Sequence, residues 1–276
     1  MIPVEDGVYT DISDVEYHAD KTSLSSSGAR TLINATPAKF LEERNTPPNP
    51  KPEYDAGHGA HFYVLGKGSD IVVVDAPNWQ TKDARQARID AWAAGKVPLL
   101  TKQDQAARAM AEKVHAHPTA GALFAVGDAE VSGYWRDSAT NVRLRWRADW
   151  LHPGRSRLII VDYKTTKNAH PNAFPKSVAD YGYHQQDAWY RDGVIANGVD
   201  DDPLFLFVAQ DKTPPYELTI HELRPADVER GRRLNRKAID LYAKCESANE
   251  WPSYDPGIHT VNFPSYAQYR EESELS

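Results

Sequence analysis

A single cysteine, Cys245, stands in 276 residues. That excludes an intramolecular disulfide and any cluster held by four cysteine thiolates. Long apolar runs are missing too. The longest are of strand length, well short of the roughly 20 residues that a membrane-spanning helix needs. The opening residues, Met1-Ile2-Pro3-Val4-Glu5-Asp6, carry no basic stretch followed by an apolar core and read as no secretory signal, so the cytosol is the expected compartment. An excess of positive charge is also absent. The formal net charge is −7, which argues against a protein that coats nucleic acid non-specifically. An enzyme whose basic residues are gathered in a channel is still compatible with that balance. The chain has no internal repeat and no low-complexity block.

What is present reads as an α/β protein. Residues 1–21 have little periodicity and are expected to form an extended arm. Ser25-Ser26-Ser27 offers N-caps for a helix through Ala29, Leu32 and Ile33, and Pro37 starts a second through Phe40. Thr46 to Pro52 reads as a proline-rich connector, and an apolar helix is expected from Gly57 to Leu65. Ile71 to Val74 reads as a strand, followed by amphipathic helices over Lys82–Gly95 and Lys102–His117. Three successive strands are expected at Ala129–Arg136, Val142–Leu151 and Leu158–Tyr163, then a helix from Val178 to Asn197. Strands at Leu204–Gln210 and Tyr216–Leu223 precede a long helix from Pro225 to Asn249. The remainder is expected to pack along the body, with an acidic, solvated end at Glu271-Glu272-Ser273-Glu274. The whole reads as one domain over residues 1–276, with an N-terminal helical segment at about 22–56 and a C-terminal helix and tail at about 225–276. A mixed central sheet flanked by helices fits this order.

The chemistry concentrates in the central strands. Asp162-Tyr163-Lys164 ends the apolar run Leu158-Ile159-Ile160-Val161. Alternation puts Asp162 and Lys164 on one face and Tyr163 on the other. Asp149 ends the preceding strand. Two carboxylates on adjacent strands can hold Mg²⁺, a hard cation that prefers oxygen, and a lysine beside them can meet a scissile phosphate. Asp-x-Lys at a strand end is also common on charged surfaces, so the surroundings decide. Along Arg143-Leu144-Arg145-Trp146-Arg147-Ala148-Asp149-Trp150, period two places Arg143, Arg145 and Arg147 on the face that ends in Asp149. Leu144, Trp146, Ala148 and Trp150 take the other face. The arginine row is expected either as a phosphate track or as a solvated basic face.

Two further groups join the candidates. In Gly57-His58-Gly59-Ala60-His61, small residues would let a helix pack closely enough for His61 to reach the site. Downstream, Gln186 and Tyr190 lie four apart and share a helix face, placed to meet phosphate oxygens or orient the lysine, or simply to pack.

In this order, the pieces resemble the RecE-type (exonuclease VIII) branch of the PD-(D/E)xK nuclease superfamily, the recombination exonucleases of phages and prophages. The matched segments are Ser25-Ser26-Ser27, Pro37-Ala38-Lys39-Phe40, Gly59-Ala60-His61 and Glu130-Val131-Ser132-Gly133-Tyr134-Trp135. They continue with Arg147-Ala148-Asp149, Asp162-Tyr163-Lys164-Thr165-Thr166 and Tyr183-His184 through Gln186-Asp187-Ala188 to Tyr190. Ala148 departs from the proline that relatives often carry. The resemblance implies a restriction-endonuclease-like core and a Mg²⁺-dependent exonuclease, with Mn²⁺ able to substitute. The implied enzyme degrades one strand of linear duplex DNA from its 5′ end, leaving a 3′ overhang for an annealing partner. It further implies His61, Asp149 and Asp162 as metal-site residues, Lys164 as the catalytic lysine, Glu130 as possible support, and a homo-oligomeric ring. An endonuclease or repair nuclease of the same superfamily, or a non-cleaving DNA-binding module on this fold, remain the alternatives. The iron–sulfur forms need four cysteines and are excluded.

Overall fold

A computed structural model of the chain describes residues 2–46 and 50–275. Pro47, Pro48 and Asn49, within the expected proline-rich connector, lie outside the described residues.

The N-terminal arm is more ordered than its sequence suggests. It contains strand β1 (Gly7–Tyr9) and helix α1 (Asp14–Ala19). Ser13 nucleates the helix: its hydroxyl accepts the Glu16 N–H, and the Glu16 carboxylate accepts the Ser13 N–H at 3.1 Å. This is a capping box spelled Ser-x-x-Glu. A short strand β2 (Leu24–Ser25) leads into α2 (Ser26–Asn34), and α3 (Pro37–Asn45) follows with Thr36 as its cap. Helix α4 (Pro52–Leu65) starts more than a turn before the expected Gly57, because Pro52 suits a first helical turn.

Strand β3 (Ile71–Val74), helix α5 (Lys82–Ala93) and strand β4 (Val97–Leu100) form a small parallel pair beside the main sheet. β4 is short and carries Pro98, which hides it from a pattern reading. Helices α6 (Thr101–Ala116) and α7 (Pro118–Phe124) follow. The main sheet is built on the meander β5 (Asp128–Arg136), β6 (Arg143–His152) and β7 (Ile159–Thr166). A crossover through α8 (Phe174–Tyr181) and α9 (Tyr183–Ala196) brings β8 (Leu204–Asp211) parallel to β7, and β9 (Leu218–His221) closes that edge. The strand order is β1-β5-β6-β7-β8-β9, with β2 paired to β6. The sheet is therefore mixed, as expected.

Helix α10 (Pro225–Ala248) packs with α2 and α9 over one face of the sheet, where Trp146, Trp189, Phe205 and Tyr242 share a core. The other face is covered by α4, α6 and α7, with Val161, Tyr163, Leu99 and Val114 in a second core. No helix of the described residues is long and apolar enough to cross a membrane.

Two expectations are corrected. The helix predicted from Val178 to Asn197 is broken at Gly182, whose left-handed φ of 65° ends α8 and begins α9. The C-terminal tail does not pack along the body: most of residues 251–264 are exposed, and the acidic end is helix α11 (Ser265–Leu275), in which Ala267 is buried.

Candidate active site at the parting of two strands

The site forms where the sheet departs from regular pairing. Between β5 and β6, Ala129 pairs with Trp150 and Val131 with Ala148, but Glu130 and Asp149 between them are unpaired. Glu130 has a φ of 55°, in a region that non-glycine residues seldom occupy. The side-chain alternation shifts there. Ala148 belongs to the first core with Leu144 and Trp146, whereas Trp150 packs against the second. This corrects the expectation that all four share one face. Asp149 thus sits at a kink rather than at the end of a uniform strand face.

Strands β6 and β7 also part at this point. Their last paired residues toward the site are Trp150 and Val161. Beyond them the Tyr163 N–H donates to Asp149 Oδ2 at 2.8 Å, so a carboxylate takes the place of a ladder acceptor. Asp162, on β7, is buried and accepts from Gln186 Nε2 of α9 at 2.6 Å. Lys164 Nζ lies 2.6 Å from Asp162 Oδ2. The ammonium is thus the close ionic partner of a buried carboxylate oxygen.

Helix α4 delivers His61 from the opposite layer. Its small residues permit the approach: a Cβ at Gly59 would stand 2.6 Å from Leu99 Cδ1, and one at Gly57 would stand 3.3 Å from Thr165 Oγ1. His61 Nε2 is 3.0 Å from Asp149 Oδ2, and His61 Nδ1 is 3.5 Å from Glu130 Oε1.

The charges are strongly coupled to burial. Burial alone would push the His61 imidazole down, but Asp149 and Glu130 outweigh it and lift it to about 9. Burial raises Asp149, and His61, Lys164 and the Tyr163 N–H more than reverse this, leaving the carboxyl below its ordinary value. Asp162 moves the other way: burial and the neighbouring Asp149 charge hold it up against the pull of Lys164. Lys164 is favoured as the ammonium, because Asp162 and Asp149 overcome the cost of its burial.

The arginine row requires a correction. Arg143, Arg145 and Arg147 are all buried. The N-terminal arm covers them. Arg143 donates to Asp6 at 3.2 Å and to the Glu5 carbonyl at 2.8 Å. Arg145 Nη1 donates to the carbonyls of Asp20 and Ser23, both at 2.9 Å, and lies 3.1 Å from Asp20 Oδ2. Arg147 pairs with Glu130 and donates to the Ile12 carbonyl at 3.1 Å. A buried guanidinium requires partners for its donors, and the arm supplies them. The row therefore offers neither a solvated face nor a phosphate track. Glu130 serves two neighbours, Arg147 and His61. Tyr190, for which phosphate contact and plain packing were both open, packs between the rings of Trp146 and Phe205.

One residue escaped the sequence reading. Arg30 of α2 has a buried Nη1 without a hydrogen-bond partner, and it lies close enough to Asp162 to feel its charge.

A divalent cation can be tested against these groups. Among the described residues, no three His, Cys, Asp or Glu side chains converge as a ready-made metal cage. Mg²⁺ needs no such cage; one or two carboxylates, water and substrate phosphate suffice. Asp149 and Asp162 are hard oxygen donors, and a carboxylate oxygen paired with one ammonium keeps a second lone pair for a cation. The residues fit a cation completed by substrate.

A mixed sheet between helical layers, with two aspartates and a lysine where its central strands part, defines a PD-(D/E)xK-type nuclease fold. Residues 25–260 match the PDDEXK-like domain of unknown function (DUF3799), and the chain belongs to that family. Its fold is similar to that of a putative exonuclease from Eubacterium rectale, with a TM-score of 0.64 and 12% identity over 95% of this chain and 98% of that one. At such identity the likeness concerns the fold alone. The solved protein SSO0001 matches at a TM-score of 0.30 and 14% identity, over 68% of this chain and 85% of its own, and carries no argument. No curated protein matches the sequence.

Proposed function

We propose that the protein is a metal-dependent deoxyribonuclease acting on the ends of linear duplex DNA, a RecE-type exonuclease. The observation that carries this reading is the meeting of Asp149, Asp162 and Lys164 at the parting of β6 and β7. His61, Asp149 and Asp162 would hold the cation, Mg²⁺ or Mn²⁺, with Glu130 beside them as support. Such a cation supplies charge stabilisation to a phosphodiester and lowers the pKa of water. The chain's own groups do the rest. Gln186 fixes the rotamer of Asp162 through its 2.6 Å hydrogen bond. Lys164, held as an ammonium, stands where it can stabilise charge that grows on the phosphate during cleavage.

Direction and role follow from the family resemblance: 5′→3′ degradation, a 3′ overhang for a single-strand annealing partner, and assembly into a homo-oligomeric ring in the cytoplasm of a bacterial host. Linear duplex labelled at either end, and relaxed circular duplex of equal length, incubated with Mg²⁺ or EDTA, test the reading. Mg²⁺-dependent loss of the 5′ label first, with the circle intact, is expected. Equal attack on the circle would make the protein an endonuclease of the same fold. Binding without cleavage in Mg²⁺ would make it a DNA-binding module.

A further inference from the structure

We propose that the cleft beside Lys164 receives an unpaired DNA strand and that Tyr181, itself stacked on Tyr183, holds one of its bases by stacking. This rests on the nuclease reading and names the form in which substrate enters the site.

A cavity of about 610 Å³ opens from His61 and Lys164 and runs past Tyr183 and Tyr181. Its size is that of a small-ligand pocket, about 300–1,000 Å³. A short length of one DNA strand can be accommodated in a space of that size.

The aromatic rings form a series that leads outward from the chemistry. Tyr183 is anchored against buried Phe207, with ring centroids 5.3 Å apart and planes at 25°. Lys164 Nζ lies 5.4 Å from the Tyr183 ring centre. Tyr181 stacks on Tyr183 in turn, at 5.6 Å and 28°. Tyr181 is nevertheless 63% exposed. A single exposed tyrosine would mean nothing. Here the exposed ring ends a stack that begins in the core and passes the catalytic lysine.

The backbone is shaped to make this stack. Residues two apart on a continuous helix do not face each other. The left-handed Gly182 between α8 and α9 breaks the helix and turns Tyr181 back onto Tyr183. A Cβ at Gly182 would also stand 2.8 Å from Arg30 Cδ, so glycine is required there twice over.

Charge on the same wall suits a phosphate backbone. Lys167, Lys176 and Lys212 line the cavity. Lys176 is engaged by Asp180 at 2.6 Å, which leaves Lys167 and Lys212 as the cations without an ion-pair partner among the described residues. Aromatic platforms beside lysines bind single strands with little sequence preference, because every base presents a π-face.

The test uses the full chain in EDTA, where binding is separated from cleavage. Single-stranded oligonucleotides carrying 2-aminopurine at successive positions report stacking as fluorescence quenching. The wild type should quench at specific positions near the bound end. Tyr181→Ala should lose quenching at one of them and bind the single strand roughly 5- to 150-fold more weakly, as expected for about 1–3 kcal/mol per stacked base. Tyr181→Phe should restore both. Should Tyr181→Ala fail to fold, Tyr181→Leu, which keeps apolar bulk without a planar ring, replaces it. Unquenched wild-type complexes, or equal binding by Tyr181→Ala, overturn the inference while leaving a cleaving enzyme in place. A wild type that neither binds DNA in EDTA nor cuts it with Mg²⁺ or Mn²⁺ removes the nuclease reading, and the inference with it.

Discussion

His61 Nε2 and Asp149 Oδ2 stand 3.0 Å apart, an imidazolium and a carboxylate joined across two layers of the fold. The helix that carries His61 belongs to one face of the sheet, and Asp149 sits at the kink in β6. Their pairing neutralises a carboxylate that would otherwise be stranded where the strands part.

This pair should make the metal-free protein sensitive to alkali. The imidazole is raised to about 9 in the folded state, above its ordinary value. A raised base contributes stability that is fully present below about 6.5 and is lost as pH climbs through about 9. Melting temperature in EDTA is therefore expected to fall by a few degrees across that window. His61→Gln should flatten that part of the profile. An equally steep decline in the variant would place the titrating group elsewhere.

Asp162→Asn should separate activity from folding. The amide keeps an acceptor for Gln186 Nε2 and removes a buried charge that the site holds above its ordinary pKa. Cleavage in Mg²⁺ is expected to drop by orders of magnitude while the melting temperature stays within a few degrees of the wild type. Near-normal cleavage by the folded variant would remove Asp162 from the site.

Lys164→Met should impair chemistry more than metal binding. Losing one donor aimed at transition-state charge costs roughly 10²–10³ in rate. Single-turnover cleavage gives the rate, and calorimetry with Mn²⁺ gives the affinity. A variant with lost Mn²⁺ binding but an unchanged rate per bound metal would show that Lys164 only balances Asp162.

Arg145→Gln should weaken the fold and not the DNA contact. Its guanidinium is buried against Asp20 and Ser23, and breaking a buried pair from one side typically costs about 3–5 kcal/mol. Thermal melting should show a large loss. The log-log salt slope of duplex binding should stay constant, since no phosphate contact is removed. A slope reduced by about one unit would instead show that the arm lifts away and exposes the arginine to DNA.

The sequence by itself determined the features that depend on near neighbours. Caps at Ser25 and Thr36, the meander β5 to β7, and the closeness of Asp162 to Lys164 all follow from period, turn residues and capping chemistry within a few positions. Even the Ser13–Glu16 capping box and the glycine break at Tyr181-Gly182-Tyr183 were written locally, though their meaning depends on what packs beside them. Tertiary structure decided the rest. Arg143 and Arg145 look like a basic face until Glu5, Asp6, Asp20 and Ser23 are brought back over them from 122 to 138 residues away. Alternation predicts one face through Trp150, but unpaired Glu130 and Asp149 shift it, and only the surrounding cores hold a residue at a φ of 55° in that strand. Local pattern governs which element forms; the pairing of buried charges, and therefore the site, is settled by long-range contacts that desolvate each group and bring its partners to it.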